Sequence, residues 1–214
     1  MTDLGCDNKA AGARLVVCSG AGFVLAGWPH KEGTLEASDR LAHWLAQEAK
    51  IKSALARGAG PGVAAPEQVA GLTGLQFLQA MLAGEVPFAS IAQTLDFALI
   101  EVELGRAVFQ GVPGPGHLNP MGTVHGGWYA TLLDSAMGCA VHTLMPPGRA
   151  YTTAEMSVKL VRAIKPTVVH VRAEGQVLHC GRQLATAQAK LVGPDGTLYA
   201  HASTTCLVFD LPSA

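Results

Sequence analysis

His125-Gly-Gly-Trp-Tyr-Ala-Thr-Leu-Leu-Asp-Ser-Ala-Met-Gly-Cys-Ala-Val-His-Thr-Leu144 is the stretch from which the rest of the chain can be read. Its apolar residues, among them Leu132, Leu133, Ala136, Met137, Ala140, Val141 and Leu144, cover nearly the whole circumference of a helix, the pattern of a buried one. Pro146, Pro147 and Gly148 stop it. Asp134 is its single acid, and an unpaired carboxylate is expensive to bury, so this residue must have a partner or face a wet cleft.

Strand patterns flank the helix. Leu95 to Glu103 and Arg106 to Val112, separated by Leu104 and Gly105, suit a hairpin, and a Gly/Pro-rich loop follows from Pro113 to Gly122. Four more strand-like runs come afterwards, Tyr151 to Ile164, Val168 to His179, Gln183 to Val192 and Leu198 to Phe209. In the second of these, Val169, Val171, Ala173, Gly175 and Val177 alternate with His170, Arg172, Glu174 and Gln176. Pro194-Asp-Gly196 and Cys180-Gly181-Arg182 are turn signals. With one apolar face per strand, about six mainly antiparallel strands must wrap the single apolar helix, an α+β arrangement.

Residues 1–66 read as an N-terminal extension. Ser38 to Arg57 is a candidate helix with Ser38 as N-cap and Leu41, Trp44, Leu45 and Ile51 near helical spacing, able to pack on the main domain but showing no chemistry. Gly58-Ala-Gly-Pro-Gly62, with Pro66 behind it, reads as a linker, and Leu72 to Leu82 as a second short helix. The main domain is expected over 67–214.

Composition narrows the function. Fifteen basic residues against sixteen acidic ones, with no basic run, leave no nucleic-acid footprint. Only 14% of residues are charged and 49% are apolar, which leaves little charge to cover a monomer's surface and implies burial between protomers. Five scattered cysteines, Cys6, Cys18, Cys139, Cys180 and Cys206, suggest neither a disulfide framework nor a zinc site and fit reduced thiols in a cytoplasm. Leu15 to Gly27 imitates a signal-peptide core, but Ser19, Gly20 and Gly22 interrupt it and Asp3 and Asp7 precede it; it is also too short to span a membrane. The histidines lack ligand spacing, so no metal is expected, and neither a dinucleotide loop nor a G-x-S-x-G elbow occurs.

The run Asn119-Pro-Met-Gly-Thr-Val-His-Gly-Gly127, followed by Asp134 and by the strand beginning Tyr151-Thr-Thr-Ala-Glu155, resembles the signature of PaaI-like hotdog acyl-CoA thioesterases, the phenylacetyl-CoA and 4-hydroxybenzoyl-CoA thioesterase type. The resemblance covers roughly residues 72 to 209. It implies a hotdog fold, hydrolysis of an aryl- or medium-chain acyl-CoA to free acid and coenzyme A, and no cofactor beyond the coenzyme A of the substrate. It places the Gly126 amide in an oxyanion hole, with Asn119 assisting or shaping the loop. It makes Asp134 general base or nucleophile. The hydroxyl that holds the attacking water falls on Thr153 in preference to Thr152. Lys159, Arg162 and the Gly181-Arg182 turn are candidates for the coenzyme A phosphates, with His125 and Gly127 beside the substrate; ordinary solvated strand faces would carry the same residues. The partners implied are acyl-CoA and further copies of the chain, as homodimer or dimer-of-dimers tetramer.

The chemistry suits these residue types. A thioester carbonyl develops negative charge on oxygen during attack, and a helix N-terminus offers unpaired N–H groups and a favourable dipole. Read alone, the Gly pair is a tight helix entry, Asp134 a structural hydrogen-bonding group, and His125 a residue that bonds backbone and shapes the loop. Eight residues at ~1.5 Å rise put the Gly126 and Asp134 Cα atoms about 12 Å apart on one helix, too far for one carbonyl to meet both. The two groups would then act on one thioester from different protomers. Acyl preference is expected to depend on Trp128, Tyr129, Met137 and residues of other chains. Two rivals on the same fold are an enoyl-CoA hydratase or dehydratase, which pairs a catalytic His with an acid at other positions, and a non-enzymatic acyl-CoA-binding sensor.

Overall fold

The computed structural model describes residues 23–24, 36–165 and 167–211; Cys6, Cys18 and most of the apolar run from Leu15 to Gly27 lie outside them. The elements are β1 (Phe23–Val24), α1 (Ala37–Arg57), α2 (Pro66–Val69), α3 (Gly74–Ala83), α4 (Ser90–Thr94), β2 (Phe97–Glu103), β3 (Arg106–Gly111), α5 (Gly126–His142), β4 (Arg149–Leu160), β5 (Val171–Cys180), β6 (Leu184–Val192) and β7 (Leu198–Asp210), with a 3-10 turn at Pro115–His117. Six strands form one antiparallel sheet in the order β2-β3-β5-β6-β7-β4, and β1 adds a short pairing to β5.

The helix and strands fall close to where the periodicity puts them. The differences lie at the ends: the run from Tyr151 leaves the sheet at Leu160 rather than Ile164, and β5 begins at Val171 rather than Val168. Leu95, expected to open a strand, instead ends α4, so β2 starts at Phe97.

The sheet wraps α5 because large residues on the helix meet small ones on the strands. Leu132, Leu133 and Met137 are fully buried against an inner face carrying Ala107, Ala173, Ala185, Ala187, Ala189, Ala200 and Ala202; burying each of the large side chains contributes roughly 2 kcal/mol. Gly175 is required at the closest approach, since a Cβ there would lie 2.2 Å from the Ala136 carbonyl oxygen.

The polar face of the hairpin and β5 is not left to solvent. Helix α1 lies over it and buries a hydrogen-bonded cluster. Glu48 Oε2 stands 3.0 Å from both Gln110 Nε2 and His170 Nε2. The Arg172 guanidinium donates to Gln110 at 2.8 Å and to Gln47 at 2.7 Å, and lies 4.5 Å from the centre of the buried Trp44 ring. Lys52 pairs with the other Glu48 oxygen at 2.9 Å. The predicted linker is itself held: Ala59 N–H donates to the Gly84 carbonyl at 3.0 Å and Gly62 N–H to that of Phe88 at 2.9 Å, tying the end of α1 to the loop between α3 and α4.

This cluster has a pH signature. The hydrogen bond from His170, acting against burial and helped by the Lys52 ammonium, holds the Glu48 carboxyl down to about 2 from its ordinary 4.5. The unfolded chain therefore binds the proton first as pH falls, so the stabilisation is complete above about pH 4.5 and drains away toward pH 2. Glu48→Gln should cost about 2–3 kcal/mol at pH 7 by weakening a buried polar network. Urea denaturation across a pH series should show that deficit shrinking between pH 4.5 and 2. A pH-independent deficit would show that the charge of Glu48 is not what holds α1.

Among the described residues no helix is long and apolar enough to cross a membrane.

Candidate active site

The loop entering α5 is organised by Asn119. Its Oδ1 accepts from the Met121 and Thr123 amides at 2.9 and 3.3 Å, its Nδ2 donates to Thr123 Oγ1 at 2.9 Å, and Gly122 turns with φ +79°. The Asn119 side chain is thus engaged with its own loop, as expected of a residue that shapes it. The His125 N–H then donates to the His117 carbonyl at 2.8 Å, which fixes the point where the helix starts.

His125 is the N-cap. Its Nδ1 accepts from the Gly127 amide at 2.9 Å, and its carbonyl accepts from the Trp128 amide at 2.9 Å. Two of the orphan donors of this helix end are thereby satisfied, whereas nothing among the described residues accepts from the Gly126 N–H. The helix N-terminus therefore presents one open donor, on the residue whose missing side chain leaves it accessible. The end of β4 runs alongside: a Cβ on Gly126 would come within 2.9 Å of a Leu160 methyl.

Asp134 lies two turns further along α5, where Thr153 Oγ1 donates to its Oδ1 at 3.1 Å. A β-bulge accounts for that contact. In the pairing of β4 with β7, Thr153 faces Cys206 and Glu155 faces Thr205, so Ala154 is the extra residue. The inward parity changes there, from Tyr151 and Thr153 before the bulge to Met156 and Val158 after it. Bulges re-aim side chains in this way. Thr152 falls on the other face of the strand.

The Asp134–Thr153 pair lies at the wall of a largely apolar cavity of about 260 Å³. Trp128, Tyr129 and Met137, expected to govern the acyl pocket, do not line it; they are consumed by the core, at 3%, 2% and 0% exposure. Cys139 does line it, but burial pushes its thiol up to about 12, so it offers no thiolate for attack.

The candidate phosphate-binding residues are not gathered in one protomer. Lys159 and Arg162 are exposed at the end of β4 beside the start of α5, whereas the Arg182 carbonyl accepts from Arg149 at the opposite end of that strand. Ten residues of strand, roughly 33 Å, separate the two groups. Gly181 belongs with Arg182, at the turn between β5 and β6.

Sequence reasoning missed the cavity's outer wall. Ile51 and Leu55 of α1 belong to it, and Trp44, Glu48, Ile51 and Leu55 follow a spacing of four, three and four residues along one helix face. That spacing was visible, but Glu48 in its middle reads as the solvated side of a helix.

Residues 121–200 match the family model described as the thioesterase superfamily. Among solved structures, the phenylacetic acid degradation-related protein of Ralstonia eutropha JMP134 is similar at 26% identity and a TM-score of 0.56, over 61% of this chain and 98% of that one. A point mutant of the phenylacetic acid degradation protein PaaI of Thermus thermophilus is similar at 25% identity and 0.50, over 55% and 97%. A thioesterase family protein of Silicibacter pomeroyi, at 22% identity and 0.55 over 64% and 97%, shares the fold. No curated protein matches the chain at a significant level. With these likenesses, the chain has the hotdog fold, matches the thioesterase superfamily over residues 121–200 and is similar to PaaI-like thioesterases.

Proposed function

We propose that the chain hydrolyses acyl-CoA thioesters at a site shared by two protomers, with Asp134 of one copy as general base and the Gly126 amide of the other as oxyanion donor. The observation that carries this reading is the division of labour along α5. The open Gly126 N–H and Asp134, which Thr153 of β4 holds, lie on one rigid helix, separated by about 12 Å, so one carbonyl cannot meet both.

A partner copy brings them together if the long edge strand β4, exposed over Thr152 to Glu155, faces its own symmetry mate. An unpaired edge of twelve residues is otherwise an association hazard. Such a twofold pairing also offers a way to bring Lys159 and Arg162 of one copy toward the Arg182 end of the next.

In the reaction a water molecule, held by the Thr153 hydroxyl, gives its proton to Asp134 as its oxygen attacks the carbonyl carbon. The tetrahedral oxyanion is bound by the Gly126 N–H. The carbon–sulfur bond then breaks, and the coenzyme A thiolate takes the proton back from Asp134, leaving free acid and thiol. The hydrogen bonds are compatible with this role: Oδ1 is engaged by Thr153, and Oδ2, without a partner among the described residues, is open to take the proton.

Mixing tests the shared site. Asp134→Asn and Gly126→Pro subunits, each inactive alone, should form heterodimers in which one of two sites is intact. Random exchange should then restore about a quarter of wild-type thiol release in an acyl-CoA assay. Demonstrated subunit exchange with no recovery would overturn the shared site.

A further inference from the structure

The cavity beside Asp134 has an unexpected architecture. Its inner wall comes from α5 and the sheet, through residues such as Phe97, Leu99 and Phe109, but its outer wall comes from helices that precede the sheet in the chain. Ile51 and Leu55 of α1, Met81 and Leu82 of α3, and Phe88 and Ala92 at α4 close it. The Ralstonia eutropha protein is matched over 98% of its length by 61% of this chain, so two fifths of what is present here has no counterpart there.

We infer that the N-terminal helices of this chain form the blind end of its acyl pocket, with Ile51, Leu55 and Phe88 setting the length of acyl group accepted. The inference rests on the proposed acyl-CoA hydrolysis and adds the class of acyl group. Polar groups, Asp134, Ser135 and Thr153, lie on the α5 and β4 side, and aliphatic and aromatic side chains supply the remainder of the wall from the N-terminal helices and β2, as an apolar acyl tail anchored by its thioester requires. A cavity of about 150 Å³ holds a benzene ring. The 260 Å³ here admits a ring with a short side chain or a saturated chain of medium length, and excludes a long fatty acyl chain.

The outer wall is fixed rather than swinging. Glu48 and Trp44, on the same face of α1 as Ile51 and Leu55, are locked to Gln110 and Arg172 of the sheet and to His170 just before β5. Beyond Leu55 the chain is hydrogen-bonded through Ala59 and Gly62 to the segment carrying Phe88. A wall held in this way can measure a substrate by steric exclusion.

Binding and turnover should be measured together on the full chain. The wild type and the Leu55→Trp, Ile51→Trp and Phe88→Ala variants would be titrated with the non-hydrolysable thioethers S-butyl-CoA and S-octyl-CoA. They would then be assayed on butanoyl-, octanoyl- and palmitoyl-CoA. Each buried methylene is worth a factor of about four, so the wild type should bind S-octyl-CoA at least tenfold more tightly than S-butyl-CoA and cleave octanoyl-CoA in preference to palmitoyl-CoA. Either Trp variant should cut the octyl-to-butyl binding ratio at least tenfold, and Phe88→Ala should raise the palmitoyl-to-octanoyl rate ratio severalfold. The thermal transition of each variant identifies any that fails to fold, and the remaining two still decide the question. Ratios unchanged within twofold in folded variants would overturn the inference, even where thiol release is intact. Chain-length-dependent binding without thiol release from any acyl-CoA would instead overturn the hydrolysis and leave the pocket standing.

Discussion

Replacing Asp134 with Asn is expected to lower kcat for acyl-CoA hydrolysis by about 10³-fold, within the range for losing a positioned acid–base group and equivalent to roughly 4 kcal/mol of transition-state stabilisation. The substitution is nearly isosteric. An Asn carbonyl can still accept from Thr153 Oγ1, which now lies 3.1 Å from Asp134 Oδ1, so the fold and the cavity should persist and the thermal transition should move little. A structural role for Asp134 predicts the reverse pattern, with stability falling and turnover surviving. An Asn variant within tenfold of wild type in a thiol-release assay would remove Asp134 from the chemistry.

The second large effect is expected at Gly126, where one substitution separates the backbone donor from everything around it. Gly126 is the first helical residue, a position proline favours because its missing N–H has no partner inside the helix. His125, before it, already holds φ −64° and ψ 137°, the conformation that a following proline imposes. The only neighbour a Cβ would crowd is the tip of the Leu160 side chain, at 2.9 Å. Gly126→Pro should therefore fold normally while deleting the proposed oxyanion donor, and kcat should fall by about 10²–10³. Gly126→Ala, which keeps the N–H, separates steric from electrostatic loss: retained activity in the Ala variant with loss in the Pro variant assigns the effect to the amide. Full activity in a folded Gly126→Pro variant would place the oxyanion elsewhere.

How much could be read in advance varies residue by residue. Asn119, His125, Gly126 and Asp134 could be picked out because they fall within one short run of sequence: a loop, the cap it leads into, and the helix that follows. Asn119 and His125 do hold backbone, at Met121, Thr123 and Gly127, and it is this work by His125 that leaves Gly126 as the open donor. By contrast, Trp128, Tyr129 and Met137, on which acyl preference was expected to depend together with residues of other chains, do not line the cavity beside Asp134, because a helix apolar nearly all round does not announce which side meets a cavity. All three turn into the core.

Arg172, Gln110 and His170 show the limit of periodicity. Alternating polar and apolar residues in β5 look the same whether the polar face meets water or a helix carrying complementary groups. The contacts that distinguish the two cases span 62 residues from Glu48 to Gln110, 122 from Glu48 to His170 and 125 from Gln47 to Arg172. No local window contains both partners.

The order of helix and strands, the buried character of α5 and the loop-cap-acid motif are properties of the sequence alone, because spacing, capping and turn chemistry act over a few residues. Three features belong to the tertiary structure. The bulge at Ala154, a matter of register with β7, selects Thr153 as the partner of Asp134. The hydrogen bonds of His125 leave the Gly126 amide open. The buried polar cluster under α1 turns an N-terminal helix into the wall of the cavity. Each depends on groups distant in sequence meeting within hydrogen-bonding or van der Waals range, which only the folded chain determines.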